Sequence, residues 1–91
     1  MKLKREKLQV IHDILKAVQE KNGTIKPTHI MYKANLSHQM LDDYLHDLLD
    51  KGFLLEMAKA KGKTYSLTEK GFEFLNSYSM ITEFMKRFGL D

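Results

Sequence analysis

Residues 37–70 carry the pattern that most constrains the fold of this 91-residue chain. Ser37 precedes an amphipathic stretch, which is followed by a short apolar run over 53–57, a lysine-rich turn and an alternating stretch over 64–67. Thr68 then precedes a second long amphipathic stretch. A Ser or Thr in that place is typical of a helix N-cap, and two short apolar runs around a glycine-containing turn predict a hairpin. The predicted order is therefore helix, hairpin, helix, with a basic turn at the tip of the hairpin.

The first of these two helices, over about residues 37–51, has distinct apolar and polar faces. Its buried stripe is predicted to consist of Leu41, Leu45, Leu48 and Leu49. The opposite face carries His38, Gln39, Asp42, Asp43 and His46. Gly52 follows the last turn and predicts the end of the helix, because glycine adopts the left-handed conformation without a side-chain clash.

The residues before Ser37 predict two further helices. Helical spacing of apolar residues indicates a first helix from about residue 4 to 22, with a buried stripe of Leu8, Ile11, Ile14, Leu15 and Val18. Residues 24–26 are long enough only for a small edge strand. Pro27 opens a second helix, since proline is favoured at the first helical position. Asn35 and Leu36 form the turn to the next helix, and two short helices joined in this way form a helix-turn-helix. His29 and Tyr32 in this second helix are expected to be partly buried.

The C-terminal helix, predicted over residues 69–89, has an apolar seam with steps of four and three residues. The seam comprises Phe74, Tyr78, Ile81, Met85 and Phe88, with Phe84 on its flank. The small core is expected to use Phe72 and Leu75, which leaves the seam from Ile81 onward uncovered. We expect a homodimer with a coiled coil of two copies of this helix, parallel or antiparallel. The alternative is a monomer in which the helix folds back along the first helix.

Basic residues cluster at two places in a chain whose net charge is +3 and whose pI is about 9.1. The hairpin turn carries Lys59, Lys61 and Lys63, and the N-terminus carries Lys2, Lys4 and Arg5. Lysine and arginine clusters bind polyanions, and contacts to phosphates supply most of the affinity for DNA. Bases would be read by the start of the third helix. There Gln39 can form hydrogen bonds with an adenine edge, and His38 can donate or accept a hydrogen bond. Ser37, at the positive end of the helix dipole, is placed to bind a phosphate.

The third helix also carries contrary evidence, because it contains four aspartates, Asp42, Asp43, Asp47 and Asp50, and only Lys51 as a basic residue. Three explanations remain open. Asp42 can accept a hydrogen bond from a cytosine amino group. The aspartates can repel non-specific DNA and leave a narrow set of sites. Alternatively, the helix faces a protein, and the chain is a winged-helix protein-interaction module.

Other functional classes find little support in the sequence. We expect no enzyme, since no nucleophile–base pair, glycine-rich phosphate loop or paired acids are present. No metal is expected either. His38, Asp42 and His46 lie along one face of the helix, but the two histidines are about 11 Å apart, too far for both to bind one ion. Asp42 with either histidine would supply only half of a metal site. The chain has no cysteine and no apolar run near 18 residues, so we expect no disulfide, membrane span or signal peptide. We also expect no cofactor or small-molecule effector, and a cytoplasmic location.

Two stretches of the sequence resemble known prokaryotic winged-helix regulators. They are residues 36–54, with Leu36-Ser37 and Lys51-Gly52-Phe53-Leu54, and the junction Tyr65-Ser66-Leu67-Thr68-Glu69-Lys70-Gly71. Over nearly its full length the chain is similar to the small archaeal 10a-type DNA-binding proteins, whose ending resembles Gly71-Phe72-Glu73-Phe74-Leu75 and Phe88-Gly89-Leu90.

This resemblance implies a mostly α winged helix-turn-helix with a small β-hairpin over residues 1–70. A C-terminal helix over 69–89 would form an antiparallel coiled-coil dimer. It also implies binding of double-stranded DNA through Ser37, His38, Gln39 and the wing lysines, in a regulatory or nucleoid-associated role. The acidity of the third helix departs from that family's pattern.

Overall fold

Four helices and one antiparallel hairpin make up the part of the chain that the computed structural model describes, residues 7–22 and 24–91. The helices are α1 (Lys7–Glu20), α2 (Pro27–Ala34), α3 (His38–Asp50) and α4 (Glu69–Arg87). The strands β1 (Leu54–Lys59) and β2 (Gly62–Leu67) form the wing between α3 and α4. This order confirms the predicted winged helix-turn-helix with its long C-terminal helix.

The core forms around α1, whose buried side chains are Val10, Ile11, Ile14, Leu15, Ala17 and Val18. Ile30 of α2, Leu48 of α3 and Leu54 of β1 pack into the same cluster. The prediction for Leu8 was wrong, because its side chain is 59% exposed. Leu8 lies in the first turn of α1 and at the edge of the buried arc, where no other described element covers it.

The helix-turn-helix forms as its local sequence predicts. Pro27 opens α2, and Asn35 adopts a left-handed conformation with φ 56° at the end of that helix. Leu36 is buried just after the turn. The Ser37 hydroxyl then accepts a hydrogen bond from the Met40 N–H at 3.2 Å, which is the predicted N-cap of α3.

The wing is a two-stranded sheet with a shorter turn than expected. Because Lys59 pairs with Gly62, the turn contains only Ala60 and Lys61, and Lys59 and Lys63 lie on strand ends rather than within the turn. Gly62 has φ 122°, a conformation that side-chain-bearing residues rarely adopt, and this fixes where the second strand begins. The small edge strand predicted at residues 24–26 is a single bridge from Ile25 to Tyr65.

The start of α4 is bound to the end of α3 through the backbone of Gly52 and Phe53. Thr68 caps α4 by accepting from the Gly71 N–H, and its hydroxyl donates to the Gly52 carbonyl at 2.6 Å. The Lys70 ammonium donates to the Lys51 carbonyl at 2.8 Å. This junction connects helix, wing and C-terminal helix, so the direction of α4 depends on it.

Among the described residues, only the first part of α4 packs closely against the rest of the domain. Leu75 is buried and Phe74 packs against the core, whereas Phe72, expected in the core, is 47% exposed. Phe74 takes this place because its ring packs edge-on against Phe53 at 5.9 Å between centroids. Farther along, Ile81 and Phe88 are about as exposed as Leu8, at 58% and 60%. The described chain measures 48 × 26 × 21 Å, which reflects the length of this helix.

Gly71 should not tolerate a side chain. A Cβ at this position would lie 2.5 Å from the Phe53 carbonyl oxygen and 3.1 Å from Leu67 Cδ2. We expect Gly71→Ala to lower the free energy of unfolding by about 1–3 kcal/mol despite the better helix propensity of alanine, because backbone must move to admit the methyl group. Urea unfolding measures the change. Ser77→Ala, at an exposed position of the same helix, is the control and should change stability by less than about 0.5 kcal/mol. Equal stabilities of the two variants would contradict this packing.

Candidate nucleic-acid interface

The exposed face of α3 brings together the residues predicted to read DNA. Ser37, His38, Gln39 and Asp42 are exposed at the start of the helix, while Leu41, Leu45 and Leu48 attach its other face to the core. Asp43 and His46 continue the exposed face. The burial pattern therefore turns a polar surface outward at the position where a helix-turn-helix presents its second helix to the major groove.

Gln39 is held by a neighbour on the same face. Its Nε2 donates a hydrogen bond to Asp43 Oδ1 at 3.1 Å, one helical turn along. The bond uses one of the two amide hydrogens, so the carbonyl oxygen and the second N–H of Gln39 stay available. An acceptor and a donor side by side match the N6 and N7 atoms of adenine.

The four aspartates of α3 have different environments. Asp47 forms an ion pair with Lys51, and Asp43 accepts from Gln39. Asp42 and Asp50 are exposed and have no hydrogen bond or ion pair to any residue that the structure describes. Lysine of the same domain therefore compensates one aspartate directly, and the outward face keeps a net negative charge.

The Asp47–Lys51 ion pair shifts the titration of both groups. The hydrogen bond from the Lys51 ammonium holds the pKa of the Asp47 carboxyl below its ordinary value, with a smaller effect from the charge of Lys7. The same bond raises the pKa of Lys51 above its ordinary value. Lys7 lies close by, since it lines a shallow groove together with Tyr44 and Asp47.

The wing supplies two unpaired cations. Lys59 and Lys61 are exposed and form no ion pair within the described residues. Lys63 is different, because its Nζ lies 3.4 Å from Glu56 Oε2, and the same carboxylate accepts from the Tyr65 hydroxyl at 3.3 Å. Burial, followed by the charge of Glu56, raises the pKa of Tyr65. The predicted basic residues Lys2, Lys4 and Arg5 lie outside the described residues.

Sequence reasoning missed an exposed polar surface on α2. Tyr32 is 73% exposed and His29 is exposed as well, although we interpreted both as partly buried. The signal was available in the spacing, because Ile30 and Ala34 are the buried residues of α2 and lie one turn apart. His29, Tyr32 and Lys33 point away from that stripe, and Lys33 pairs with Glu20 at 3.1 Å.

The predicted seam of α4 divides into two parts. Phe74 and Tyr78 contact their own domain, since Phe74 packs on Phe53 and Tyr78 stacks on His12 of α1 at 4.4 Å between centroids. The seam was predicted from spacing alone, which does not show that Phe53 packs against Phe74 and that α1 packs against Tyr78. The remaining members form the distal stripe, which is exposed or half-exposed and comprises Ile81, Phe84, Met85 and Phe88.

Comparison with protein families matches residues 4–86 to the winged helix-turn-helix family. The chain belongs to this family. A stretch of 69 residues is 45% identical to an uncharacterized protein, MJ0290, of the archaeon Methanocaldococcus jannaschii. The match covers 76% of this chain but only 30% of that longer relative. The winged helix is therefore one part of the relative.

Solved structures with the same winged helix include two DNA-binding proteins. Sso10a-2, a DNA-binding protein from Sulfolobus solfataricus, has a TM-score of 0.79 at 21% identity, covering 92% of this chain and 85% of the other. F93 from STIV, a winged-helix DNA-binding protein, has a TM-score of 0.75 at 20% identity, covering 90% and 92%. At these identities the likeness establishes the fold, and it confirms the predicted similarity to the archaeal 10a-type proteins.

None of the described helices combines the length and apolarity needed to cross a membrane. No group of three or more His, Asp or Glu side chains among residues 7–22 and 24–91 could hold a metal ion.

Replacing Lys51 should return the Asp47 titration toward normal. Lys51→Met removes the hydrogen bond that lowers the pKa of Asp47, so NMR titration of the carboxyl carbon should give a higher pKa in the variant. The stabilisation from the pair is present above the unfolded-state pKa of Asp47, 3.8, and is lost as pH falls through the lower folded-state value. Lys61→Met, at an unpaired lysine, is the control and should leave Asp47 unchanged. An unchanged pKa in Lys51→Met would show that the pair does not form in solution.

Proposed function

We propose that this chain is a homodimeric winged-helix DNA-binding protein, a transcriptional regulator or nucleoid-associated protein, that binds duplex DNA through α3 and the wing. The observation that carries the proposal is the pair of exposed, unpaired lysines, Lys59 and Lys61, beside a helix-turn-helix with an outward polar face. The fold of Sso10a-2 and F93, both described as DNA-binding proteins, supports it.

Phosphate contacts and base contacts would come from different elements. Lys59 and Lys61 would bind phosphates beside the groove that α3 enters, and Lys2, Lys4 and Arg5 would add to the same electrostatic attraction. The exposed Tyr32 hydroxyl of α2 can donate to a further phosphate, because α2 crosses the DNA backbone in this arrangement. Ser37, His38 and Gln39 would face base edges and the nearest phosphate.

The acidic face of α3 would limit which sequences are bound. A carboxylate near DNA phosphates raises the energy of every complex in which it accepts no hydrogen bond. Asp42, exposed and unpaired among the described residues, is compensated where a cytosine amino group meets it. We therefore expect weak non-specific binding and a preference for sites with cytosine opposite Asp42.

The distal stripe of α4 would form the dimer interface. Four large apolar side chains in line, with the Phe84 and Phe88 rings 4.9 Å apart, form an uncommon exposed surface for a monomeric protein. Their spacing of i, i+3, i+4 and i+7 places them on one face of the helix, as helix pairing requires. A second copy of α4 supplies the complementary surface.

A second candidate function is a protein-interaction module that uses the outward face of α3. The unpaired carboxylates of Asp42 and Asp50 favour a basic protein partner. The two functions differ in the charge that binding requires, since DNA binding depends on the wing lysines and partner binding on the α3 aspartates.

Removing the two unpaired wing lysines should weaken DNA binding at every sequence. For Lys59→Ala with Lys61→Ala, we expect lower affinity for a random duplex and a salt slope reduced by about 2, because each lost phosphate contact changes the slope by about 0.9. Fluorescence anisotropy between about 50 and 200 mM salt measures both quantities. Lys63→Ala should have a smaller effect, because Lys63 is paired with Glu56.

The matched control carries the same charge change on α1 and α4 and leaves the wing unchanged. Lys16 lines a groove between α1 and α4, and Lys86 lies in the last turn of α4. Lys16→Ala with Lys86→Ala should keep the salt slope of the wild type. Equal slopes in the wing and control variants would remove the wing from the interface, and absence of binding by the wild type at low salt would favour the protein-interaction module.

Acidic substitutions in the distal stripe should separate the dimer. Phe84→Glu with Phe88→Glu places two charges in the apolar interface, and burying an unpaired charge is costly. Sedimentation analysis at high micromolar concentration should give the mass of one chain for this variant and two for the wild type. Phe72→Glu, at an aromatic residue of similar exposure near the start of α4, is the control and should remain dimeric. A persistent dimer in the double variant would locate the interface elsewhere.

A further inference from the structure

Tyr78 lies where α4 leaves the domain. Leu75, one turn earlier, is buried, and Ile81, one turn later, is 58% exposed. The Tyr78 hydroxyl donates a hydrogen bond to Gln9 Oε1 at 2.7 Å. Its ring stacks on His12, with 4.4 Å between centroids and 21° between the ring planes. One residue of α4 is therefore bound to two residues of α1 by two different kinds of contact.

These contacts belong to a closed cycle of four side chains, Gln9, His12, Asp13 and Tyr78, which we name the exit cluster. Gln9 Nε2 donates to Asp13 Oδ1 at 3.0 Å, and His12 Nδ1 lies 3.1 Å from the same oxygen. Because Asp13 holds the amide nitrogen of Gln9, the Gln9 carbonyl is turned toward the Tyr78 hydroxyl. One carboxylate thus orients both side chains that contact Tyr78.

The exit cluster is half-buried, which strengthens its hydrogen bonds relative to exposed ones. Beyond Tyr78 the large apolar side chains of α4 are exposed or half-exposed. The hydrogen bond and the ring stacking of the cluster are therefore the most distal specific side-chain contacts between α4 and α1 among the described residues. The distal stripe begins three residues later, at Ile81.

We propose that Tyr78 is a positioning residue: through Gln9 and His12 it fixes the angle at which α4 leaves the winged helix, and thereby the spacing of the two DNA half-sites in the dimer. The part of this inference that concerns DNA rests on the proposed function. From Tyr78 to Phe88 the helix rises about 15 Å, so a tilt of roughly 15° at the cluster moves its far end by about 4 Å. A shift of that size exceeds one base-pair step, about 3.4 Å.

A distance measurement within one chain tests the angle without DNA. The chain has no cysteine, so cysteines introduced at Ala60 and Glu83, both exposed, accept spin labels at those positions only. Labelled chains are diluted into an excess of unlabelled chains, so that double electron–electron resonance records the distance from the wing to the distal part of α4. We expect one narrow distribution for the otherwise unmodified chain.

Variants of the exit cluster should widen this distribution. Tyr78→Leu removes the ring and the hydroxyl, and should give a distribution at least about twofold wider, because several exit angles become populated. Tyr78→Phe removes only the hydrogen bond between Tyr78 and Gln9, whereas Gln9→Leu removes that bond and the one from Gln9 to Asp13. Both variants keep the Tyr78 ring and should give intermediate widths. Circular dichroism checks the helix content of each variant. If Tyr78→Leu does not fold, the widths for Tyr78→Phe and Gln9→Leu decide whether Tyr78 positions α4. Phe72→Leu, a matched truncation outside the cluster, should keep the narrow distribution. Unchanged widths in the Tyr78 and Gln9 variants would overturn the positioning role.

The consequence for DNA is tested separately. Selection from random duplexes with the wild type gives a half-site and its preferred spacing. Tyr78→Phe should bind a single half-site as the wild type does, but should lose severalfold in discrimination between the preferred spacing and spacings shifted by a few base pairs. Full discrimination in a variant with a widened distance distribution would overturn the link between angle and spacing. A wild type that binds no DNA would overturn the proposed function and the spacing claim together, whereas the distance measurement would still decide the positioning role.

Discussion

The backbone of Gly52 and Phe53 is the point on which the arrangement of α3, the wing and α4 depends. The Phe53 carbonyl accepts from the Thr68 N–H at 3.2 Å, and the Gly52 carbonyl accepts from the Thr68 hydroxyl. Only a glycine at position 71 lets α4 approach this closely. Because α3, the wing and α4 begin or end at this one junction, they keep a fixed relation to one another, as the proposed DNA surface requires.

The charge distribution separates general attraction from discrimination. Lys59 and Lys61 on the wing, and Asp42 and Asp50 on the outward face of α3, form no ion pair with any residue that the structure describes. In the proposed complex, the lysines attract phosphates at any DNA sequence. A carboxylate, by contrast, is tolerated in the groove only where a base donates a hydrogen bond to it. This division fits a protein that binds few sites better than one that coats DNA uniformly.

The long α4 has two different environments along its length, and the exit cluster lies at their boundary. The first part is attached to α1 through Leu75 and Tyr78, and Phe74 packs on Phe53. The distal stripe keeps large apolar side chains exposed, which a second copy can cover. In the proposed dimer, the two chains together would form the DNA-binding site. The spacing of its two halves would depend on the exit cluster inside each chain.

Local sequence determined the elements of this protein and their order. Ser37 and Thr68 specify helix starts, Pro27 and Asn35 specify the limits of α2, and each acts through its own backbone or a neighbour within one turn. Such signals do not depend on distant residues. The winged helix and the exposed face of α3 could therefore be predicted from the sequence. The resemblance to archaeal 10a-type proteins was predictable for the same reason, because the order of these signals carries it.

Only the tertiary structure decided which side of each element is covered. The repeat in α4 is the same at Tyr78 and at Ile81, but α1 covers the first and not the second. Leu8 continues the apolar spacing of α1 and stays exposed, whereas Tyr32, interpreted as partly buried, is among the most exposed side chains. The pairing of Lys63 with Glu56 likewise depends on the strand register. Periodicity identifies the apolar face of a helix or strand, but that face is buried only where a second element packs against it. Which element packs there depends on contacts between residues far apart in the chain.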